Sequence, residues 1–305
     1  MRHHLTSNLF HAAPSGVTWR YLWPVLAVAL VLRIALAQTH IQYVHPDQVF
    51  QYLEPAYRLV HGYGLVTWEW IYGIRSWFIP VGVAGVIWTA DALGVPHEPV
   101  VETAFALISM TIPLGAYRLA QAYVPEPQAI AAFLIGCFWG YFLHYGPTPM
   151  TSMLASSALI WVAVLMTRPA TTRRLLLIGA LSALTLAVRY QLLPVVGALH
   201  VCAIVALGRR YDWCFIGAAV VVVAVGLIDM VTWGSFLGSY TTNFELNFNE
   251  GLSELFGTHP ITHYLVVGGI DTGGILIAMV VGLVALGRTA WPIWVAVLIG
   301  VAAFH

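Results

Sequence analysis

The sequence predicts an all-α, polytopic membrane protein, and three observations carry that prediction. Of its 305 residues 60% are hydrophobic and only 9% are charged, giving a mean hydropathy of +0.82; soluble domains sit nearer about 45–50% apolar and about 25% charged. Apolar runs of membrane-crossing length recur along the whole chain. Three acids, two arginines and two histidines fall between residues 45 and 75, directly after the first apolar run. Spans built from such a chain are helices, because lipid offers no partners to unpaired backbone groups.

The first run is Trp19–Gln38. Others follow at roughly 76–93, 99–122, 127–144, 149–167, 174–190, 191–207, 214–233, 264–287 and 290–304, so the expected total is about ten hydrophobic segments. The pair around Pro194 also reads as one broken hairpin. Ala35-Leu36-Ala37 resembles a signal-peptide cleavage site, but the run is too long and carries Arg33, so an uncleaved anchor is expected. Arginines set the orientation. Arg2 and Arg20 flank the N-terminus, Arg168, Arg173 and Arg174 cluster, and Arg209, Arg210 and Arg288 close later loops. With these facing the cytoplasm, the loops at 39–75 and 234–262 both face outward and can meet over one cavity. Three stretches lie between 76 and 144 where the charge rule asks for an even number of crossings; either one of them does not span or Arg118 misleads.

Composition excludes other classes. Formal net charge is zero, so the basic footprint of a nucleic-acid binder is absent. Cys137, Cys202 and Cys214 lie in or beside apolar runs without metal-ligand spacing and read as small buried hydrophobes. The sequence has no lysine; its 13 Lys+Arg positions are all arginine. With abundant Ala, Val and Gly, this points to a GC-rich genome and a bacterial cytoplasmic membrane.

The first outer loop carries the chemistry. Phe50, Leu53, Tyr57 and Val60 have helical spacing, with Pro46 near the start and Gly62 and Gly64 after the end. An amphipathic helix on the membrane surface is expected. Asp47 then stands near the helix N-terminus, where the dipole favours the ionised form. Two readings are open: a helix cap, or a general base for a sugar hydroxyl. Glu54 and Arg58 are four apart and suit an intrahelical pair. Glu69, between Trp68 and Trp70, suits a carbohydrate, although interfacial tryptophans also serve as plain anchors. Arg75 and Arg189 fall at outer ends of spans, either snorkelling or pairing with a phosphate, and Gln191 adds a neutral donor. The second outer loop, with Asn243, Glu245, Asn247, Asn249 and Glu250 and then His259-Pro260 and His263-Tyr264, suits polyol binding or a polar lid. His259 and His263 have no evident third partner, so no metal site is assigned there.

Together these residues resemble the lipid-phosphate-mannose-dependent α-mannosyltransferases of the GT-C superfamily, which extend the GPI-anchor core and the lipid-linked N-glycan precursor. The family's His-Pro-Asp-Glu run, followed by Phe-Gln and a Glu, is matched by His45, Pro46, Asp47, Phe50, Gln51 and Glu54. Thr67-Trp68-Glu69-Trp70 and Gly73-Ile74-Arg75-Ser76 match the next block, and Arg189–Gln191 a later Arg-aromatic-Gln element. Asn243-Phe244, Asn247 and Gly257-x-His259-Pro260-x-x-His263-Tyr264 resemble the second loop. The resemblance implies one transmembrane domain over 1–305 and inverting transfer of mannose from polyprenyl- or dolichyl-phosphate mannose to a hydroxyl of a lipid-linked or envelope glycan acceptor. Asp47 would be the base and Arg75 or Arg189 the phosphate partner. His45, Gln48, Gln51, Glu54, Trp68, Glu69, Trp70, Gln191, Asn243, Asn247, His259 and His263 would bind substrate. No cofactor is firmly assigned, and a divalent metal held by Asp47 and Glu54 stays open.

The sequence also departs from that pattern. Gln48 replaces a second acid, and Gly146-Pro147-Thr148-Pro149-Met150-Thr151-Ser152 lacks the acid of the corresponding family element. The sequence stops at Ala303-Phe304-His305, about where relatives continue with His-Lys-Glu and a C-terminal membrane region, so a C-terminally short member is expected. Two rival readings are a transporter or flippase of a lipid-linked sugar and a catalytically silent binding relative. A transporter would need acids or broken helices at mid-bilayer; Asp229 and Asp271 are the main acids away from the outer loops.

Overall fold

The computed structural model describes residues 19–39 and 45–252, with Thr262 and Val266. Apart from Val266, the stretches expected at 264–287 and 290–304, and His259 and His263, lie outside these residues. Every regular element described is helical. After a 3₁₀ turn at Trp19–Tyr21 come α1 (Leu22–Thr39), a π-helical turn (Gln48–Leu53), α2 (Glu54–His61), α3 (Trp68–Ile71), α4 (Phe78–Ala92), α5 (His97–Ser109), α6 (Thr111–Ala120), α7 (Glu126–Phe138) and α8 (Gly140–Tyr145). Then follow α9 (Thr151–Met166), α10 (Thr172–Val188), α11 (Leu193–Leu207), α12 (Asp212–Trp233), α13 (Gly238–Phe244) and a π-helical turn (Glu245–Asn249). Punctuation follows the sequence: Pro55, Pro127 and Pro194 stand in first turns, where a missing N–H costs nothing. Gly62 and Gly234 end α2 and α12 at φ +79° and +77°, a conformation glycine adopts without strain.

Among the described residues three helical units are long and apolar enough to cross a membrane: Leu22–Thr39, His97–Ala120 and Gly208–Trp233. The remaining apolar helices are shorter, so the expected ten spans are not all present as full-length helices. The three stretches expected between 76 and 144 form helices of unequal length. α4 is 15 residues long, about 22 Å, against a hydrocarbon thickness of about 30 Å. It packs on α2 and α5 through Ala56, Val83, Ile87, Val101 and Phe105, as part of the segment joining α1 to α5. Of the three stretches only the unit His97–Ala120 reaches membrane-crossing length; α7, at 13 residues, is shorter still than α4.

Consequently the chain ends of the helices sort by chemistry. Arg20, Arg118, the Arg168–Arg174 turn and Arg209–Arg210 gather at one end, where Arg168 feels the charges of Arg118 and Arg174. Asp47, Arg75, Thr151, Arg189 and Asn243 gather at the other. α1, α6 and α7 share a core of Leu22, Leu26, Tyr117 and Phe133. α9 to α12 share another, built on Val162, Leu175, Ile178, Leu199 and Tyr211. α10 and α12 cross at Gly179 and Gly217: a methyl group on either would strike the carbonyl oxygen of Cys214 or Leu176. Small residues at such a crossing let backbones approach, which is how membrane helices gain contact without a hydrophobic driving force.

Arg33 within the first run is fully buried, donating to Ser109 Oγ at 2.5 Å and to the Gly136 carbonyl at 2.7 Å, and so ties α1 to α5 and α7. The surface helix expected in the first loop changes more. The helix in the first loop runs from Pro46 through the π turn to His61. Leu53, Tyr57 and Val60 pack on the α4–α5 core, so that face meets protein, while Phe50 and Leu59 stay exposed.

Candidate functional site

At the arginine-poor end lies a polar cavity of about 150 Å³, lined by residues from five separated parts of the chain. The first loop supplies Asp47, Gln51 and Tyr52, and the turn before α4 supplies Ile74, Arg75 and Ser76. Met150 and Thr151 come from the start of α9, Arg189, Tyr190 and Gln191 from the α10–α11 turn, and Ser239, Tyr240 and Asn243 from α13. Six residues picked from sequence therefore converge here: Asp47, Gln51, Arg75, Arg189, Gln191 and Asn243.

Asp47 opens the helical segment. It makes no side-chain cap bond, so the capping alternative is not realised. Its carboxylate is 41% exposed and lies 3.5 Å from His45 Nδ1, which also accepts the Asp47 backbone N–H at 3.2 Å. The π-helical turn that follows widens the backbone at Gln48–Leu53; such insertions are frequent at functional sites. It puts Gln51 and Tyr52 in the cavity wall. The Tyr52 hydroxyl donates to Gln51 Oε1 at 3.2 Å and lies 2.9 Å from Thr151 Oγ1, which joins the first loop to α9. Burial raises the Tyr52 pKa above its ordinary value, so the hydroxyl stays a neutral donor.

Glu69 is not a free sugar contact. Its Oε1 accepts from Arg75 Nη2 at 2.5 Å, from Arg75 Nε at 3.1 Å and from Gln51 Nε2 at 3.0 Å, and it sits behind the residues that line the cavity. Burial alone would weaken the Arg75 charge. The Glu69 carboxylate outweighs it and holds the Arg75 pKa above the usual arginine value, so a fixed cation faces the cavity. Arg189 ends α10 with a non-helical backbone, and among the described residues no carboxylate lies within ion-pair distance of its side chain. One arginine is thus anchored and the other is available to an anion.

Several expected contacts have structural duties instead. Trp70 is buried, donates from Nε1 to the Phe50 carbonyl at 3.0 Å, and stacks 6.4 Å from Trp233 with Trp77 beside it; Trp68 is exposed and outside the cavity lining. Glu54 accepts the Leu65 N–H at 3.0 Å, closing the return of the loop, instead of facing the cavity with Asp47. These two carboxylates therefore do not form the metal pair left open by the sequence. Gln48 is buried with an unpartnered Oε1. Asn247 donates to the Asn243 backbone carbonyl and side-chain Oδ1, both at 3.0 Å, and supports Asn243 from behind.

Sequence reasoning overlooked the framework behind this wall. Asp229, fully buried in α12, accepts from Ser76 Oγ at 2.7 Å, from Ser239 Oγ at 2.5 Å and from the Ser239 N–H at 3.0 Å. It fixes the Arg75 turn and α13 to one helix. Trp233 Nε1 donates to the Arg75 carbonyl at 3.0 Å, and Tyr190 donates to Asn243 Oδ1 at 2.5 Å. The available signal was an acid in a 22-residue apolar helix, which marks a functional or framework position in a membrane protein. A second, apolar groove of about 640 Å³ runs between α10, α11 and α12 and shares Ala187, Tyr190 and Tyr240 with the polar cavity.

Comparison with known proteins identifies relatives of the chain. Residues 23–305 match the model of the Alg9-like mannosyltransferase family. The chain is 27% identical over 284 residues to GPI mannosyltransferase 3 of Yarrowia lipolytica, covering 90% of this chain and 54% of that protein. Over 59 residues it is 44% identical to GPI mannosyltransferase 3 of Drosophila melanogaster, covering 19% of this chain and 10% of the relative. Over 72 residues it is 36% identical to that of Trypanosoma brucei brucei, covering 24% and 13%. The chain thus spans about half the length of the Yarrowia protein. No solved structure matches it. With a family match over nearly its whole length, the chain belongs to the Alg9-like mannosyltransferase family.

Proposed function

We propose that this protein transfers mannose, or a related hexose, from a polyprenyl- or dolichyl-phosphate sugar to a hydroxyl of a lipid-linked or envelope glycan. The observation that carries the reading is the convergence of Asp47, Arg75 and Arg189 on one polar cavity from which an apolar groove departs. In this reading the Asp47 carboxylate takes the acceptor hydroxyl proton. The acceptor oxygen forms a bond to the anomeric carbon from the face opposite the phosphate, so the configuration inverts. The bond from that carbon to the phosphate oxygen breaks, and its electron pair leaves with the prenyl phosphate, whose charge meets Arg189 and the anchored Arg75. His45 Nδ1 accepts the Asp47 backbone N–H and so holds the residue that carries the base.

The arginine-rich end is cytoplasmic by the positive-inside rule, so the cavity faces outward, across a bacterial cytoplasmic membrane or into the lumen of an endoplasmic reticulum. Phe50 and Leu59, exposed on the first-loop helix, suit contact with the bilayer surface. A transporter reading loses its main support at Asp229, which is held by three hydrogen bonds in a framework. Protein reconstituted with labelled polyprenyl-phosphate mannose and membrane lipids should yield a labelled glycoside. Movement of intact donor across the membrane with no glycoside would support transport instead. Arg189→Ala should raise the donor KM about tenfold or more, as expected for a lost charge-assisted phosphate contact; an unchanged KM would leave Arg189 a snorkelling residue.

A further inference from the structure

Packing at the arginine-rich end brings like charges together from three parts of the chain. α6 and α9 lie side by side and run the same way. Ser157 Oγ lies 3.5 Å from the Ile108 carbonyl, and further along Trp161 Nε1 donates to the Thr111 carbonyl at 3.2 Å. A methyl group on Gly115 would come within 2.8 Å of Ile160 Cγ2, so the two helices touch closely. Thr111 and Trp161 are 50 positions apart in sequence; Arg118 and Arg168 have the same separation, so this packing brings them to one level. Arg174 joins them, because its Nη1 donates to the Pro169 carbonyl at 2.9 Å and folds the side chain back over the turn. All three arginines are half-buried.

No acid offsets this crowding at Arg168. Glu126 lies within electrostatic reach of Arg118, but it accepts from the Tyr117 hydroxyl at 2.5 Å and from Gln121 Nε2 at 3.2 Å. Arg168 forms no ion pair among the described residues. Burial, Arg118 and Arg174 all push its pKa below the usual arginine value. Like charges held together in a part-dry place are unfavourable unless an anion joins them. Guanidinium forks match phosphate oxygens two at a time, and basic pockets between the ends of membrane helices stand at the level of lipid headgroups.

We propose that Arg118, Arg168 and Arg174 form a phosphate-binding site, whose ligand is the phosphate of an anionic lipid headgroup or of a soluble phosphate ester. The site lies at the end opposite Asp47 and does not rest on the proposed transfer.

The test uses the whole protein in neutral detergent at fixed ionic strength, titrated with short-chain phosphatidic acid, phosphatidylcholine and inorganic phosphate. Native mass spectrometry counts bound lipid, and the denaturation midpoint reports binding to the folded state. One phosphatidic acid should bind about tenfold tighter than phosphatidylcholine, and Arg168→Gln or Arg174→Gln should remove that preference. Without ligand, Arg168→Gln should keep or raise the midpoint, since it relieves repulsion. Arg210→Gln removes an equal charge from an exposed position at the same end and should leave the preference intact. Inorganic phosphate that binds alone and displaces the lipid, with the same dependence on Arg168, identifies a soluble ester as the ligand; lipid binding that phosphate does not displace identifies the headgroup. Equal affinity for both lipids with no binding of phosphate would overturn the site. So would an equal loss in Arg210→Gln, which would reduce the effect to diffuse charge, or a lowered ligand-free midpoint in Arg168→Gln, which would make the residue part of the framework.

Discussion

Glu69 holds three hydrogen bonds on one oxygen, whereas the Asp47 carboxylate is met by His45 alone among the described residues. Two carboxylates of one loop thus take different duties: one fixes a cation, the other stays open to the cavity. Glu69→Gln should lower kcat/KM about tenfold, because Arg75 loses its fixed position and misplacement at a phosphate contact is costly. Steady-state kinetics with a prenyl-phosphate sugar would check this, and unchanged kinetics would demote Glu69 to scaffolding. Asp229 acts further back. Asp229→Leu leaves Ser76 and Ser239 without their shared acceptor and should cost about 3 kcal/mol of stability, on the scale of hydrogen bonds to a charged group, read as a lowered denaturation midpoint in detergent. The flanking tryptophans made Glu69 look like a sugar contact in the sequence. Only packing reveals that Trp70 turns inward onto Trp77 and Trp233.

At the scale of elements, periodicity located the helices well. The run expected at 214–233 is α12 (Asp212–Trp233), and that at 149–167 is α9 (Thr151–Met166). The π-helical turn at Gln48–Leu53 was not legible, since an extra residue in a turn leaves no composition mark; yet it directs Gln51 and Tyr52 at the cavity. The α10–α12 crossing was equally hidden, because Gly179 and Gly217 look alike to any apolar run until the two helices meet. Gly217→Val should separate the helices and destabilise the protein by about 2 kcal/mol or more, the cost of forcing side chain into a packed contact. Gly197→Ala, where the added methyl meets nothing within 4 Å, is the matched control and should unfold like the parent. A normal midpoint for Gly217→Val would mean that the crossing is looser than described.

Across the whole molecule, charge placement and cavity placement agree: the arginine clusters around Arg118, Arg168–Arg174 and Arg209–Arg210 lie at the end opposite the cavity, which holds Arg75 and Arg189. The sequence carried this much because arginine bias and apolar length are local signals. The pairing of Ser76 with Asp229, 153 positions apart, is not local, and neither is the link from Tyr52 to Thr151. Sidedness predicts that in intact cells an impermeant thiol reagent labels Tyr72→Cys, whose parent side chain is exposed, and spares Arg210→Cys until the membrane is opened; the reverse pattern would invert the orientation. The central claim is tested most directly by Asp47→Asn, which keeps shape and removes the base. In single-turnover transfer from labelled polyprenyl-phosphate mannose, this variant should bind donor about as tightly as the parent yet lose glycoside formation by about a hundredfold or more. Transfer at the parental rate with donor bound would contradict the account.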